Sequence, residues 1–252
     1  MLKEIVIAVQ SYGEAYRFIK ANRLWRWILI PGILYTLLFI FGIYYFWESS
    51  NGAVSWLSRQ AGLEGWLQRE RSEWLSFFFV LIGIFLRVIL MLFYFSFFKY
   101  FFLIIGSPVF AYLSEKTEAI LEGKDFPLNL KQIVKDVVRG IRLALRNSLW
   151  QAVYMVALVI LSLIPVFGSI APLIALFVEC YYYGFSMLDY SLERNKLSAG
   201  QSIEYISRHK GLAIGNGAMF YLMHFVPIIG WLLAPAYAVI AATLSLHKIK
   251  SS

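Results

Sequence analysis

The sequence predicts an all-α integral membrane protein with two long transmembrane helices, two re-entrant helical hairpins that penetrate part of the bilayer, and amphipathic interfacial helices. Three observations lead to this fold class. Hydrophobic residues make up 60% of the 252 residues and charged residues only 15%, long stretches lack charge, and two of these stretches contain a proline and glycine cluster. Water-soluble domains contain about 45–50% apolar residues and about 25% charged ones, so the composition excludes a single soluble domain.

Two stretches are each long enough for a full crossing, because a hydrocarbon core of about 30 Å needs about 20 helical residues. The first predicted transmembrane helix covers 27–47, an uncharged stretch that follows a basic turn. The second covers 74–105, and its most apolar part contains a single charge, Arg87. An arginine inside a membrane helix usually faces the interior of the bundle or a wet cavity.

Two later stretches are predicted to fold back as hairpins, hairpin 1 over 149–188 and hairpin 2 over 212–246. In each, a proline and a glycine precede an Ala-Pro pair, and these residues stop a helix and permit a reversal. The arms of about 16 residues would reach only about 24 Å. The alternative is four ordinary spans with the breakers at the far interface. The predicted tip residues are Pro165, Gly168, Pro172, Pro227, Gly230 and Pro235.

Amphipathic helices are predicted over 1–22 and 128–148. In the second, basic side chains recur every three or four residues and share one face, either solvated beside anionic lipid headgroups or concentrating an anion. This basic face consists of Lys131, Lys135, Arg139, Arg142 and Arg146. Lys and Arg number eight in 99–148 but three in 48–73, so the positive-inside rule predicts cytoplasmic N- and C-termini.

The sequence contains no motif of a hydrolase, metalloprotease or phosphate-binding loop, and its three histidines lack ligand spacing. We therefore expect no catalytic residue, no metal, no cofactor and no nucleic-acid partner. Three residues are candidates for a transport pathway. Glu179 is the predicted partner of Arg87, which either forms a structural ion pair or serves as a stepping stone for an anion. His224 is either a hydrogen-bonded interior histidine or a proton relay.

The entry to the first transmembrane helix is a candidate anion seat. Asn22 is predicted to cap the amino end of this helix, and Arg23 and Arg26 stand in its first turn. Free backbone N–H groups and two guanidinium groups suit a tetrahedral oxyanion, which accepts several charge-assisted hydrogen bonds. The alternative is that the arginines only anchor the helix at the membrane surface.

Five features in fixed order resemble the CysZ sulfate-permease family, which shares its domain with the etoposide-induced membrane proteins. They are the basic turn before a helix that carries Pro31, the segments SPVFAYLSEKTEAILEG and IVKDVVRGIRLALRNSLW, the paired proline clusters, and LDYSLERNKLS. The resemblance covers nearly all of 1–252 as one transmembrane domain. It implies a homo-oligomer in the bacterial inner membrane, with two long helices, two hemi-penetrating hairpins, and sulfate uptake for cysteine synthesis.

The resemblance also implies which residues form the sulfate-binding turn. That turn of the family carries a glycine, a hydrophobic residue and two arginines before the first helix. Arg26 matches the second arginine and Leu24 the hydrophobic position, whereas Trp25 replaces the first arginine and Arg23 stands where the glycine would be. The sequence therefore predicts a permease or channel for sulfate or a related oxyanion that feeds sulfur assimilation. The alternative is a non-transporting scaffold that binds or shapes anionic lipid or holds partner proteins.

Overall fold

The computed structural model describes residues 1–60, 73–124, 130–162 and 170–251. Within these ranges the chain is all-helical, as predicted, and has no strand. The eight helices are α1 Leu2–Ala21, α2 Trp25–Gln60, α3 Glu73–Glu122, α4 Leu130–Ser162, α5 Ala171–Arg194, α6 Ala199–Arg208, α7 Lys210–His224 and α8 Ile229–Ser251. The predicted tip residues Pro165 and Gly168 lie outside the described residues.

The helices form two compact units, one of Met1–Thr36 with Tyr100–Ser252 and one of Leu37–Lys99. In the smaller unit, aromatic rings join the later part of α2 to α3. The ring centroids of Phe39 and Phe98 are 5.6 Å apart, and those of Phe46 and Tyr94 are 5.1 Å apart.

In the larger unit, α7 packs against α1, α5 and α8. Two glycines let α5 and α7 approach closely: Gly184 faces the carbonyl oxygen of Ala213, and Gly217 faces that of Cys180. A Cβ atom built on either glycine would lie 1.9 Å from the facing oxygen. Small residues of this kind are enriched where membrane helices meet, because they let the backbones come together.

Two helical stretches in the described part of the chain are long and apolar enough to cross a membrane, Trp25–Ser49 and Ile229–Lys250. The first contains the predicted span 27–47, which is helical, and α2 continues past it to Gln60. The predicted span 74–105 falls within α3, but most of its side chains lie outside the described part, so it stays a prediction.

The second proline cluster is only partly a turn, so the expectation of a tip extending to Pro235 is wrong. Pro227 lies in the turn after α7, whereas Gly230 is the second residue of α8 and Pro235 lies inside that helix. The turn closes early because Gly230 has no side chain: a Cβ there would lie 1.9 Å from the carbonyl oxygen of Met223. Pro172, by contrast, stands in the first turn of α5, where its missing N–H costs no helical hydrogen bond.

The two elements expected at 128–148 and from 149 onward form one continuous helix, α4. Neither proline nor glycine occurs near residue 149 to end the helix, so the boundary placed there is wrong. The predicted helix over 1–22 is present as α1. It buries one face, consisting of Ala8, Ser11, Tyr12, Ala15 and Ile19, and leaves Val6 and Tyr16 exposed.

Candidate functional site

The turn between α1 and α2 contains the predicted anion seat, but Asn22 does not have its predicted role. It ends α1 instead of capping α2: its backbone N–H and its side-chain Nδ2 both donate to the carbonyl oxygen of Phe18, at 3.0 and 2.9 Å. An asparagine suits either helix end, and here the carbonyl groups at the end of α1 bind it first. The expectation that Asn22 caps α2 is therefore wrong.

Arg23 adopts the left-handed backbone conformation, with φ of +53°. The backbone N–H of Leu24, the next residue, donates to the carbonyl oxygen of Ile19 at 3.1 Å. This bond and the left-handed residue form the helix-ending arrangement that usually places glycine at the position of Arg23. Glycine adopts this left-handed conformation at no steric cost. This explains why the resemblance implies a glycine at the position of Arg23.

Leu24 directly precedes α2, and its carbonyl oxygen accepts hydrogen bonds from the backbone of Trp27 at 3.0 Å and of Ile28 at 3.3 Å. Its side chain is buried and holds the turn against the protein, whereas Arg23 and Arg26 are exposed. Trp25 is half-buried and packs edge-on against Tyr16, with ring centroids 6.5 Å apart. The turn therefore presents two guanidinium groups beside the amino end of α2, where the helix dipole is positive.

Glu179, one of the three pathway candidates, lies in a polar network that joins four helices. The hydroxyl group of Tyr221 donates to Glu179 at 2.8 Å, and the side-chain amide of Gln151 donates to its other oxygen. Tyr100 in turn donates to Gln151 at 2.6 Å. The sequence analysis did not find Tyr100, Gln151 and Tyr221, since no local pattern marks a glutamine or tyrosine in an apolar stretch as a partner of a distant carboxylate.

The other two pathway candidates differ in what the structure describes. His224 ends α7 inside an aromatic cluster, where its Nε2 is 3.4 Å from the hydroxyl of Tyr35 and its ring stacks on Phe220 with centroids 5.4 Å apart. Arg87 lies in α3, and its side chain is outside the described part of the chain. Its pairing with Glu179 remains a prediction.

Arg139 was expected on the solvated basic face of α4, but its guanidinium group is turned into the protein. Nη2 donates to Asp189 at 2.9 Å and to Ser202 at 2.7 Å, and Nη1 donates to the carbonyl oxygen of Leu197. Its Nε lies 3.6 Å from a carboxylate oxygen of Glu193. Arg139 therefore ties α4 to the carboxyl half of α5 and to α6.

Burial raises the pKa of a carboxyl group in this cluster. The side chains of Asp189 and Glu193 are each only 7% exposed, and burial raises the pKa of Glu193 to about 7 although Arg139 lies beside it. The basic face that remains on the surface of α4 is smaller than predicted and includes Lys135 and Arg142, whereas the side chain of Lys131 lies outside the described part.

Long apolar helices, close packing through glycine and an arginine-bearing helix entry define an all-helical membrane protein. A family described as "Sulfate transporter CysZ/Etoposide-induced protein 2.4" matches residues 11–235. The chain belongs to this family, which is a transporter family and not an enzyme family.

Curated relatives agree with the family assignment. A protein of Pseudomonas aeruginosa strain LESB58 named "Sulfate transporter CysZ" is 25% identical over 93% of this chain and 92% of its own length. A protein of the same name from Pseudomonas syringae pv. tomato is 29% identical over 68% of this chain and 68% of its own length. Another, from Pseudomonas fluorescens strain Pf0-1, is 24% identical over 93% of this chain and 90% of its own length.

Proposed function

We propose that this protein is a permease for sulfate or a related oxyanion in a bacterial inner membrane, and that it feeds sulfur assimilation. The observation that carries the proposal is the turn between α1 and α2, where the exposed Arg23 and Arg26 flank the amino end of a helix. Relatives that are named sulfate transporters and align over nearly the whole chain support sulfate as the first substrate to test.

The turn offers two kinds of donor to an oxyanion. Backbone N–H groups in the first turn of a helix are not all paired, although that of Trp27 already donates to Leu24, and the helix dipole adds positive potential. The guanidinium groups of Arg23 and Arg26 add charge-assisted hydrogen bonds. Because Arg23 carries a side chain where the family pattern has glycine, its Cβ limits how closely an anion can approach the backbone. We infer that binding here depends more on the arginine side chains.

The proposed route continues along the two predicted hairpins. The arm α7 has 15 residues and is about 22 Å long, which is short of the about 30 Å of a hydrocarbon core. The return arm α8 is longer, since Ile229–Lys250 could cross by its length. The proposal of a hairpin that enters and leaves on the cytoplasmic side, the side also proposed for both termini, therefore depends on the short arm α7. Glu179, His224 and Arg87 remain the candidate pathway residues. We propose that the chain assembles as a homo-oligomer.

Sulfate uptake is the direct test of the proposal. Purified protein in liposomes should admit radiolabelled sulfate, and Arg26→Ala should weaken sulfate binding about tenfold, because a hydrogen bond to a charged group contributes about 1.5–3 kcal/mol. Arg208→Ala is the matched control, since Arg208 is exposed on α6 and pairs with Glu204 at 2.5 Å. Uptake equal to that of empty vesicles, or unchanged binding by Arg26→Ala, would contradict the proposal.

The hairpin needs its own test at the turn after α7. Cys180 is the single cysteine and is buried, so a cysteine introduced at Ile228 would be the accessible thiol. We expect this thiol to resist a membrane-impermeant reagent added from the periplasmic side. Rapid labelling from that side would favour ordinary spans.

The scaffold is the second candidate function, and the exposed Lys135 and Arg142 on α4 favour it. Both cations stand on a surface next to Val138, which is 62% exposed, and such a surface suits anionic lipid headgroups. Strong binding to anionic vesicles by a protein that admits no sulfate would support the scaffold.

A further inference from the structure

The carboxyl ends of three helices meet around a cavity of about 220 Å³ in the larger unit, which we call the C-terminal pocket. It lies between the last turns of α3, α5 and α8 and shares no residue with the α1–α2 turn or with the Glu179 network. Each helix contributes a polar pair to the pocket or directly behind it: Ser114 with Glu118, Ser191 with Asn195, and Thr243 with His247. The members of each pair are four residues apart and therefore lie on one helix face.

The helix ends favour a cation in this pocket. The dipole gives the carboxyl end of a helix a partial negative charge, although several carbonyl groups at the ends of α3 and α5 already accept hydrogen bonds from the turns that follow. The helices α3, α5 and α8 end at Glu122, Arg194 and Ser251, so three such ends surround one cavity. Carboxyl ends of half-helices also contribute to Na⁺ sites in secondary transporters.

Three buried hydroxyl groups form a cluster at the inner wall of the cavity, and two of them, Ser191 and Thr243, line it. The three hydroxyl oxygens lie within hydrogen-bond distance of one another. The oxygen of Ser114 is 2.9 Å from that of Ser191 and 3.3 Å from that of Thr243, and the oxygens of Ser191 and Thr243 are 2.7 Å apart. Thr243 donates its hydrogen to the carbonyl oxygen of Val239 at 3.0 Å. The two remaining hydrogens, those of Ser114 and Ser191, can fill two of the three oxygen–oxygen contacts, and none is then left to donate into the pocket. Acceptor oxygens without outward hydrogens suit a hard cation.

Glu118 supplies the negative charge, and a lysine already stands beside it. The carboxylate of Glu118 is 17% exposed and accepts a hydrogen bond from the side-chain amide of Asn195 at 3.0 Å. The ammonium group of Lys250 lies 4.0 Å from the same carboxylate oxygen and donates to the oxygen of Asn195. Lys250 is 41% exposed, so its side chain can move to solvent at small cost.

We propose that the C-terminal pocket binds a small monovalent metal cation such as Na⁺, which competes with the ammonium group of Lys250 for Glu118. Charge balance favours a monovalent ion: Glu118 is one carboxylate among neutral oxygens, and the neighbouring Glu122 pairs with Lys124 at 2.6 Å. The cavity of about 220 Å³ has room for several water molecules, each of which occupies about 30 Å³ in the liquid. A bound ion would therefore keep several of its waters.

Thermal unfolding of the full-length protein in detergent tests the site, with NaCl compared with choline chloride at equal ionic strength. Na⁺ should raise the unfolding midpoint and choline should not, because an ion that binds only the folded protein stabilises it. Lys250→Met should bind Na⁺ about threefold more tightly, as removal of a partly exposed competitor has a small effect. Glu118→Gln should remove the Na⁺ response, and Ser191→Ala, which deletes one oxygen, should weaken it.

Lys248→Met is the matched control, because Lys248 lies two residues away on α8 and pairs with Glu14 at 2.7 Å. It should leave the Na⁺ affinity unchanged. The proposal is overturned if NaCl and choline chloride act equally on both the wild type and Lys250→Met. It is also overturned if Lys248→Met reproduces the effect of Lys250→Met, if Ser191→Ala and Glu118→Gln keep the full response, or if Mg²⁺ binds more tightly than Na⁺.

Discussion

Replacement of Gly184 by alanine tests the close approach of α5 and α7. The added Cβ would lie 1.9 Å from the carbonyl oxygen of Ala213, whereas real Cβ atoms essentially never come within 3.0 Å of such an atom. The two helices must therefore separate by at least about 1 Å. The same interface holds Tyr183 and Phe220, whose rings stack with centroids 3.7 Å apart, so the separation also loosens this stack.

We expect Gly184→Ala to lower the free energy of unfolding by about 1–3 kcal/mol, the usual cost of forcing extra atoms into a packed interior. Alanine is otherwise the better helix former by about 1 kcal/mol, so the steric cost must exceed the observed loss by about this amount. Chemical or thermal unfolding in detergent measures the difference. Gly217→Ala should behave in the same way, since its Cβ would lie 1.9 Å from the carbonyl oxygen of Cys180.

The control is the identical substitution at an open site. Gly13 lies in the middle of α1, is exposed, and has no atom within 4 Å of a Cβ built on it. Gly13→Ala should therefore stabilise the protein by up to about 1 kcal/mol. The two substitutions are the same in chemistry but opposite in expected sign. If Gly184→Ala proves as stable as Gly13→Ala, the packing of α5 on α7 described above is wrong.

Three further changes have expected outcomes. Arg23→Gly should stabilise the turn by up to about 1 kcal/mol, because it relieves a left-handed arginine, yet it should weaken sulfate binding measured by titration calorimetry. Burial raises the pKa of Glu193 to about 7 from 4.5, so the folded protein holds a proton that the unfolded chain releases. Stability should then fall as the pH rises from 4.5 to 7, and Glu193→Gln should flatten this slope of the unfolding midpoint. Tyr221→Phe removes a donor to Glu179 and should cost about 1–3 kcal/mol in unfolding experiments, whereas unchanged stability would contradict the network.

The all-helical class and the first long helix could be predicted because they depend on local composition. An uncharged stretch of about 20 residues such as 27–47 favours a helix in a hydrocarbon core. The structure has a helix there, within the candidate span Trp25–Ser49. The continuity of α4 could also have been predicted from the absence of proline and glycine near residue 149. The spacing of the basic residues indicates a helix only over its first half, 128–148.

The site was harder to predict because its geometry depends on distant residues. Periodicity assigns Arg139 to the basic face of α4, but Asp189 and Ser202, which turn it inward, lie 50 and 63 positions away in the chain. Asn22 shows a different limit. Three residues separate α1 from α2, so an asparagine in this connection serves either helix end, and local pattern does not choose between them.

The second proline cluster performs three separate physical roles. Pro227 occupies the turn, Gly230 lets the first turn of α8 pass against Met223, and Pro235 lies within α8. Since proline has no N–H, the carbonyl oxygen of Trp231, four residues earlier, receives no helical hydrogen bond from it. At membrane depth, a backbone carbonyl that loses this bond needs a replacement donor from protein or water. Of the candidate span that contains it, 78% is buried within the protein, compared with 28% of Trp25–Ser49. Pro235 is thus tolerated in a helix that packs largely against the rest of the protein.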